Sequence, residues 1–511
     1  MSKPLPLQNQ FARMVRDVSR NRLPPNTAWD LRDLIPDYGA PARERSGWAH
    51  ASNSITAVTA TASYVQGGLF AIFSPTGGAD PQNLAVDEDG VLYKIATAGT
   101  VTQVGASRQI IQNPAFHGAA AVSAATPVFT GLVIIPDGTG VAVPKKYDGT
   151  NLSDLNGTPP KAKLATVYRD FTVLGHGTVG STYYPNRIWF SPPGDPDCAV
   201  EATAWDTTDS WIDFSLPVLG LGATKNVLLI FHDGQMTRIR GSTPPPDEDM
   251  LVDDPWQKIG LLDPFSITEH QDMVFWCAPE GVFRTDGVTV DDITLKGGML
   301  RYWLDLVSMA TSTWTFAAGI VRNRLFITVM DGTTIKDAFL VDLATYGWTR
   351  LTNMDAVSFW SGLRNEADEL YFGRRNQAFV GRCQTMFEVD DSAFKNDGNG
   401  TAVASVLETP YYELGRPGIK TVKSLFAGFF LKDYATDNPT IAVSYVDTPE
   451  ATSYTALGTL SENTKYDRRR IQIGGRHWGV AFKFARSNAG DFHGYDLSAE
   501  VIHQEESKRI S

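Results

Sequence analysis

Residues 273–287 read MVFWCAPEGVFRTDG, an apolar run, a Glu-Gly pair, a second apolar run and an Asp-Gly pair. Alone, Trp276, Cys277, Glu280 and Asp286 could be parts of a reactive site. The alternative is two strands and a turn, and the choice depends on whether the pattern recurs. It does recur. NLAVDEDGVLYKI stands at 83–95, GLVIIPDGTGVAV at 131–143, VLLIFHDGQMTRIRG at 227–241 and RLFITVMDGTTIKDAFLVDL at 324–343. ELYFGRRNQAFVGRC at 369–383 turns on Arg-Asn, and NRIWFSPPGDPD at 186–197 opens alike before a proline-rich insertion. Asp-Gly favours tight turns whose central residues need positive φ, so each copy predicts a β-hairpin.

The copies follow one another at intervals of 40–55 residues. A strand-and-hairpin repeat of that length predicts the blades of a β-propeller. The expected fold is all-β: a six- or seven-bladed propeller over 51–395, an N-terminal helix and extended arm over 1–50, and a C-terminal β-sandwich with a polar tail over 396–511. Longer strands are expected at 424–433, 440–447, 477–486 and 493–503. Met299, Tyr302, Trp303, Leu306 and Val307 fall at helical spacing and predict a helix inserted between blades. GSTPPPDEDMLVDDPW at 241–256 is expected to be an exposed acidic loop.

In the first fifty residues, Phe11, Met14, Val15 and Val18 lie at i, i+3, i+4 and i+7, which predicts a short amphipathic helix stopped by the prolines at 24 and 25. These four are candidates for an inter-subunit arm; a helix packed on its own chain is the alternative.

Composition narrows the function. The 511 residues carry a net charge of −12, against a protein that grips nucleic acid by neutralising phosphates. Three cysteines suit a reducing compartment better than a disulfide framework. The eight histidines lack metal-ligand spacing, no phosphate-binding glycine loop occurs, and no window is apolar enough to span a membrane. No catalytic residue, cofactor or metal is therefore assigned. Cys277 is expected to be a buried thiol, and Cys198 the exposed one. Trp205, Asp206, Asp209 and Trp211 in TAWDTTDSWIDF are the best case for a sugar site, without the repeated boxes of a sialidase.

The arm NTAWDLRDLIPDYGAPARERSGW, then YRDFTVLGHGT with NRIWFSPPGDPD, then VLLIFHDGQMTRIRG, KIGLLDPFSITEHQDMVFWCAPEGVFRTDG and the late YDRRRIQIGGRHWGVAFKF follow one another in order. This order resembles the β-propeller tail hub or nozzle proteins of short-tailed bacteriophages, some of them called packaged-DNA stabilisation proteins. The match covers most of the chain and is one of pattern and order.

The resemblance implies a virion protein assembled in the host cytoplasm: a homohexameric ring below portal and adaptor proteins, beside tail fibres or tailspikes. Such a ring extends the DNA channel and helps retain and release packaged double-stranded DNA, without sequence recognition. Under it, Asp247, Glu248, Asp249, Asp253 and Asp254 are the candidate channel or gate loop. The competing expectations are a receptor- or glycan-binding minor tail protein of a long-tailed phage and a carbohydrate-active propeller enzyme.

Overall fold

The computed structural model describes residues 5–503 except 9–12, 25–26, 38–39, 45–47, 53, 56–61, 74–80, 122–128, 201–203, 247–248, 365–366, 384–402, 404, 413–419, 433–439, 462–466, 473–475, 478 and 487–490. Antiparallel four-strand meanders follow one another around a ring. The first is Val65–Ala71, Gln82–Asp87, Val91–Ile95 and Val101–Ala106. The second runs from Ala115–Ala121 to Leu152–Asp154, the third from Lys161–Tyr168 to Trp211–Asp213, and the fourth from Gly220–Ala223 to Leu251–Gln257. The fifth spans Thr268–His270 to Val290–Asp292, and the sixth Trp314–Val321 to Gly347–Arg350. The last is Ala356–Arg364, Ala367–Arg374 and Val380–Cys383, completed by Ala49–His50 from the start of the chain.

First strands of successive meanders touch in a closed cycle, Ala356–Arg364 lying against Val65–Ala71. The molecule is therefore a β-propeller. Among the described residues six of these meanders are separate four-stranded sheets, and the sixth along the chain, 314–350, opens a nine-stranded sheet.

The opening stretch explains why these strands read as nearly continuous apolar runs. Successive side chains of a strand point to opposite faces, and here both faces are covered. In Met273–Ala278, Val274, Trp276 and Ala278 pack with Val227, Leu229 and Phe231 of the fourth blade. Phe275 and Cys277 pack with Phe316, Leu325 and Ile327 of the sixth. Trp276 is fully buried, 5.4 Å from the ring of Phe231 and 5.6 Å from that of Phe283.

Two details differ from the sequence reading. In the Asp-Gly turns of 89–90, 233–234 and 331–332 only the glycine takes positive φ, at 80°, 69° and 57°. The aspartate keeps an ordinary backbone, so one left-handed residue suffices. In the third blade the repeat matched the wrong strand. Its second strand is Phe171–Val179, which turns on Gly180-Ser181, and the stretch at 186 belongs to its third, Thr182–Phe190.

Two helices, α1 (Ile293–Gly297) and α2 (Leu300–Ser308), join the fifth and sixth blades as the 299–307 spacing predicts, with Trp303 and Leu306 buried. The expected helix over 11–18 is not formed in its described part. Arg13–Met14 is instead a short strand parallel to Thr27–Ala28. Val15 donates its amide to Ala28, and Arg16 and Asp17 donate theirs to Gly298, so cross-chain acceptors replace the i−4 carbonyls. Met14 and Val15 are buried in their own chain, Val18 is 37% exposed, and Phe11 lies outside the described residues.

The C-terminal strands fall in two additional sheets that the arm helps to build. Asp30–Arg32 is inserted between Gly347–Arg350 of the sixth blade and Val406–Glu408, and Ala481–Arg486, Thr440–Val446 and Thr455–Ser461 follow outward. Lys420–Lys432 and Asp491–His503 form the heart of the other sheet, which takes Leu5–Gln8, Leu34–Asp37 and Ala40–Glu44 from the arm. The two ends of the chain thus complete one another.

Replacing Trp276 by alanine removes a ring from between two blades, and a loss of about 3–5 kcal/mol is expected. Equilibrium denaturation of the purified chain, wild type against Trp276→Ala, measures it.

Candidate functional site

The axis of a propeller is its usual place for a site or a passage, and here two connecting segments fill it. Gln112 donates from Nε2 to the carbonyl of Leu221, 2.8 Å away on the inner strand of the fourth blade. Its neighbour Asn113 donates from Nδ2 to the carbonyl of Phe359 in the last blade at 2.7 Å, and accepts from the amide of Gly68 in the first at 3.3 Å. Two consecutive residues therefore bond to opposite sides of the ring.

The second segment is the 3-10 turn Pro264–Ser266. Asp263 caps it, accepting from the amide of Phe265 at 2.9 Å and from that of Phe316 on the sixth blade at 3.1 Å. Phe265 and Ile110 are both buried in the central cluster. Gly67 permits this approach: a Cβ there would stand 2.7 Å from Ile110 and 3.1 Å from Phe265. Burial pushes the Asp263 carboxyl up to about 7, outweighing its two amide donors.

The candidate gate carboxylates lie elsewhere. Asp253 and Asp254 are on Leu251–Gln257, the outer strand of the fourth blade and the one furthest from the axis. Asp253 pairs with Arg238 at 2.6 Å and Arg240 at 3.3 Å. Asp254 accepts from the hydroxyl of Thr237 at 2.8 Å. Asp249 closes its own loop, accepting from the amides of Ser242 and Thr243 at 2.7 Å each, and these donors hold its carboxyl below the usual range. Asp247 and Glu248 lie outside the described residues.

The possible sugar site is a turn. Asp206 accepts from the amides of Thr208 and Asp209, and the indole of Trp205 is buried and donates to Pro196. The Trp211 ring is covered by the Arg187 guanidinium at 3.4 Å. Cys277 and Cys383 are buried, and Cys198 is half-buried rather than exposed. Burial, with Asp195 and Asp197, pushes the Cys198 thiol up to about 11, and burial raises that of Cys277 further, so neither is a thiolate at neutral pH. His232 sits at its turn but is fully buried, its ring nitrogens on the Pro217 carbonyl and the Thr237 hydroxyl. Among the described residues no group of three or more His, Cys, Asp or Glu could hold a metal ion, and no helix is long and apolar enough to cross a membrane.

The arm holds the polar cluster that sequence reasoning did not single out. Asp30, fully buried, faces Arg32 at 2.8 Å, Arg350 at 3.5 Å and Arg16 at 3.7 Å. Arg350 also pairs with buried Asp337 at 3.0 Å, and Asp337 accepts from the Tyr302 hydroxyl. Arg20 donates to the carbonyl of Thr409 and to the hydroxyl of Tyr454. The only sequence signal was an unusual density of charge among the large apolar residues of WDLRDLI.

No family model matches the chain, and no curated protein sequence matches it. Among solved structures it is similar to a glycoside hydrolase family 43 arabinoxylan arabinofuranohydrolase from Bacillus subtilis, at 9% identity and a TM-score of 0.25, over 88% of this chain and 99% of that one. The WD40 β-propeller domain of Doa1 is matched at 9% identity and a TM-score of 0.35, over 68% and 99% of the two chains. PorZ, a type-IX secretion component of Porphyromonas gingivalis, is matched at 10% and 0.35, over 74% of this chain and 44% of that one. These are distant likenesses.

Two outcomes test this geometry. Because the folded pKa of Asp263 is raised, its contribution to stability is fully present below pH 4 and is lost as pH rises through about 7. Wild type should lose roughly 3 kcal/mol from this group between pH 5 and 8, and Asp263→Asn should flatten that profile in urea denaturation. Asp30→Ala strips three arginines of their buried partner and should cost about 3–5 kcal/mol. Limited proteolysis should then cut the arm first.

Proposed function

We propose that this chain is a structural protein of a short-tailed bacteriophage virion, a tail hub or nozzle subunit that extends the DNA channel and helps retain and release packaged DNA. The observation that carries this reading is the order of family-like stretches along the chain, beginning with the arm at 26–48. The arm's architecture is consistent with it. The described part of that segment supplies strands to both accessory sheets, and Ala49–His50 directly after it joins the last blade, as befits a scaffold. The candidate catalytic groups are spent on turns and packing.

On this reading the DNA passage is a lumen enclosed by six copies, since Gln112 and Asn113 occupy the axis of each propeller. A net charge of −12 per copy disfavours lasting phosphate contacts in such a lumen. Portal, adaptor and tailspike or fibre proteins are the partners implied, in the virion tail.

The test is the assembled mass. A hexamer of the 55.9 kDa chain weighs about 335 kDa. Sedimentation velocity and mass photometry should find this species, with sixfold rings by electron microscopy. A chain that stays monomeric at every concentration and never joins a phage particle overturns the proposal.

A further inference from the structure

The ring is closed by a short clasp. Ala49–His50 lies on the outer edge of the last blade, His50 opposite Gly381 and Ala49 opposite Arg382. Just beyond, the amides of Ala51 and Ile55 donate to the carbonyls of Val380 and Ala378 at 2.7 and 2.8 Å. The Ser52 hydroxyl accepts from the amide of Val380 at 2.9 Å. A titratable side chain sits within this clasp: the His50 ring rests against Trp48, at 5.7 Å between centroids, and Phe379, at 4.2 Å.

Its polar neighbour is Arg374, whose donors are largely committed. Nε and Nη2 hold the two oxygens of Asp355 at 2.8 and 3.2 Å, and Nη1 donates to Oε1 of Gln377 at 2.6 Å. Nη1 carries a second proton, and Nε2 of His50 lies 3.4 Å from that nitrogen. A guanidinium can only donate, so this contact requires an unprotonated imidazole nitrogen that accepts. Protonation sets N–H against N–H and places one cation beside another. The Trp48 ring gives little relief, since the Arg374 guanidinium already lies 4.4 Å from its centroid. Asp355 is engaged by Arg374, and Arg382 on the partner strand is matched by Glu369 at 2.7 Å.

We propose that the closure of the propeller is a pH-operated clasp, in which neutral His50 holds Ala49–His50 on the last blade and protonated His50 releases it. The inference goes beyond the tail reading and does not depend on it. Burial first, and then Arg374, hold the His50 pKa below the usual histidine value, against the pull of Asp355. The stability that the neutral ring contributes is therefore fully present above about pH 6.5 and is lost as pH falls through the folded value. Asp263 has the opposite sign, so a local readout is needed to separate the two.

Hydrogen exchange of the full chain, corrected for the intrinsic effect of pH and read by mass spectrometry, supplies it. Protection of residues 48–52 and 376–383 should fall severalfold between pH 8 and pH 5, while that of Arg324–Asp331 in the sixth blade holds. His50→Gln keeps an acceptor for Arg374 and does not titrate, so its clasp should stay protected at pH 5. His50→Lys, a cation throughout this range, should be unprotected already at pH 8. If neither variant folds, deuteration of the His50 imidazole carbon in wild type carries the test, with a midpoint expected below the usual histidine value. Protection of the clasp that does not change with pH, a loss shared by His50→Gln or by the sixth blade, or a midpoint at or above the usual value overturns the proposal.

Discussion

A four-stranded blade that is apolar on both faces has no stable existence alone. Met273–Ala278 buries Trp276 against one neighbour and Cys277 against the other, and Val227–Phe231 alternates in the same way. Each blade therefore requires two others, and the demand ends only when the ring closes. Closure falls to Ala49–His50, which pairs with Val380–Cys383 and joins the beginning of the propeller to its end. The arm, the accessory sheets and the filled axis all build on that ring.

The same constraint explains what was legible in the sequence. Because both faces are buried, the second strands read as apolar runs bounded by turn residues, and their spacing gave the propeller directly. The blade count stayed open because the sixth meander continues into a larger sheet, a pairing decided by Asp30–Arg32 and Val406–Glu408 far away in sequence. The third blade was misplaced because Gly180-Ser181 does the work that Asp-Gly does elsewhere. At Met14 and Val15 a helical spacing proved accidental, since four apolar positions cannot outweigh acceptors offered by Ala28 and Gly298.

The polar features were the least legible. Asp30 and Asp253 are both carboxylates in charged surroundings, yet one is sealed among arginines and the other lies on an outer strand. Sequence alone does not tell these apart, because one of the arginines that surround Asp30 is Arg350, far away along the chain. Gln112 and Asn113 carried no signal at all. Their importance comes from lying in a connection that crosses the axis, and an amide is well suited there because it both donates and accepts.

The closing strand also dictates a timetable. Leu34 accepts from Thr349, a partner 315 residues further along, and Ala49–His50 has no sheet to join until the last blade exists. A ribosome adding about 5–20 residues per second needs a quarter of a minute or more to supply them. Through that interval the early blades stand with an open edge, and Asp30–Arg32 and Ala49–His50 of the arm lack their partner strands. The ring closes only after Val380–Cys383 has been made, so Ala49–His50, made much earlier, is among the last strands to find its place.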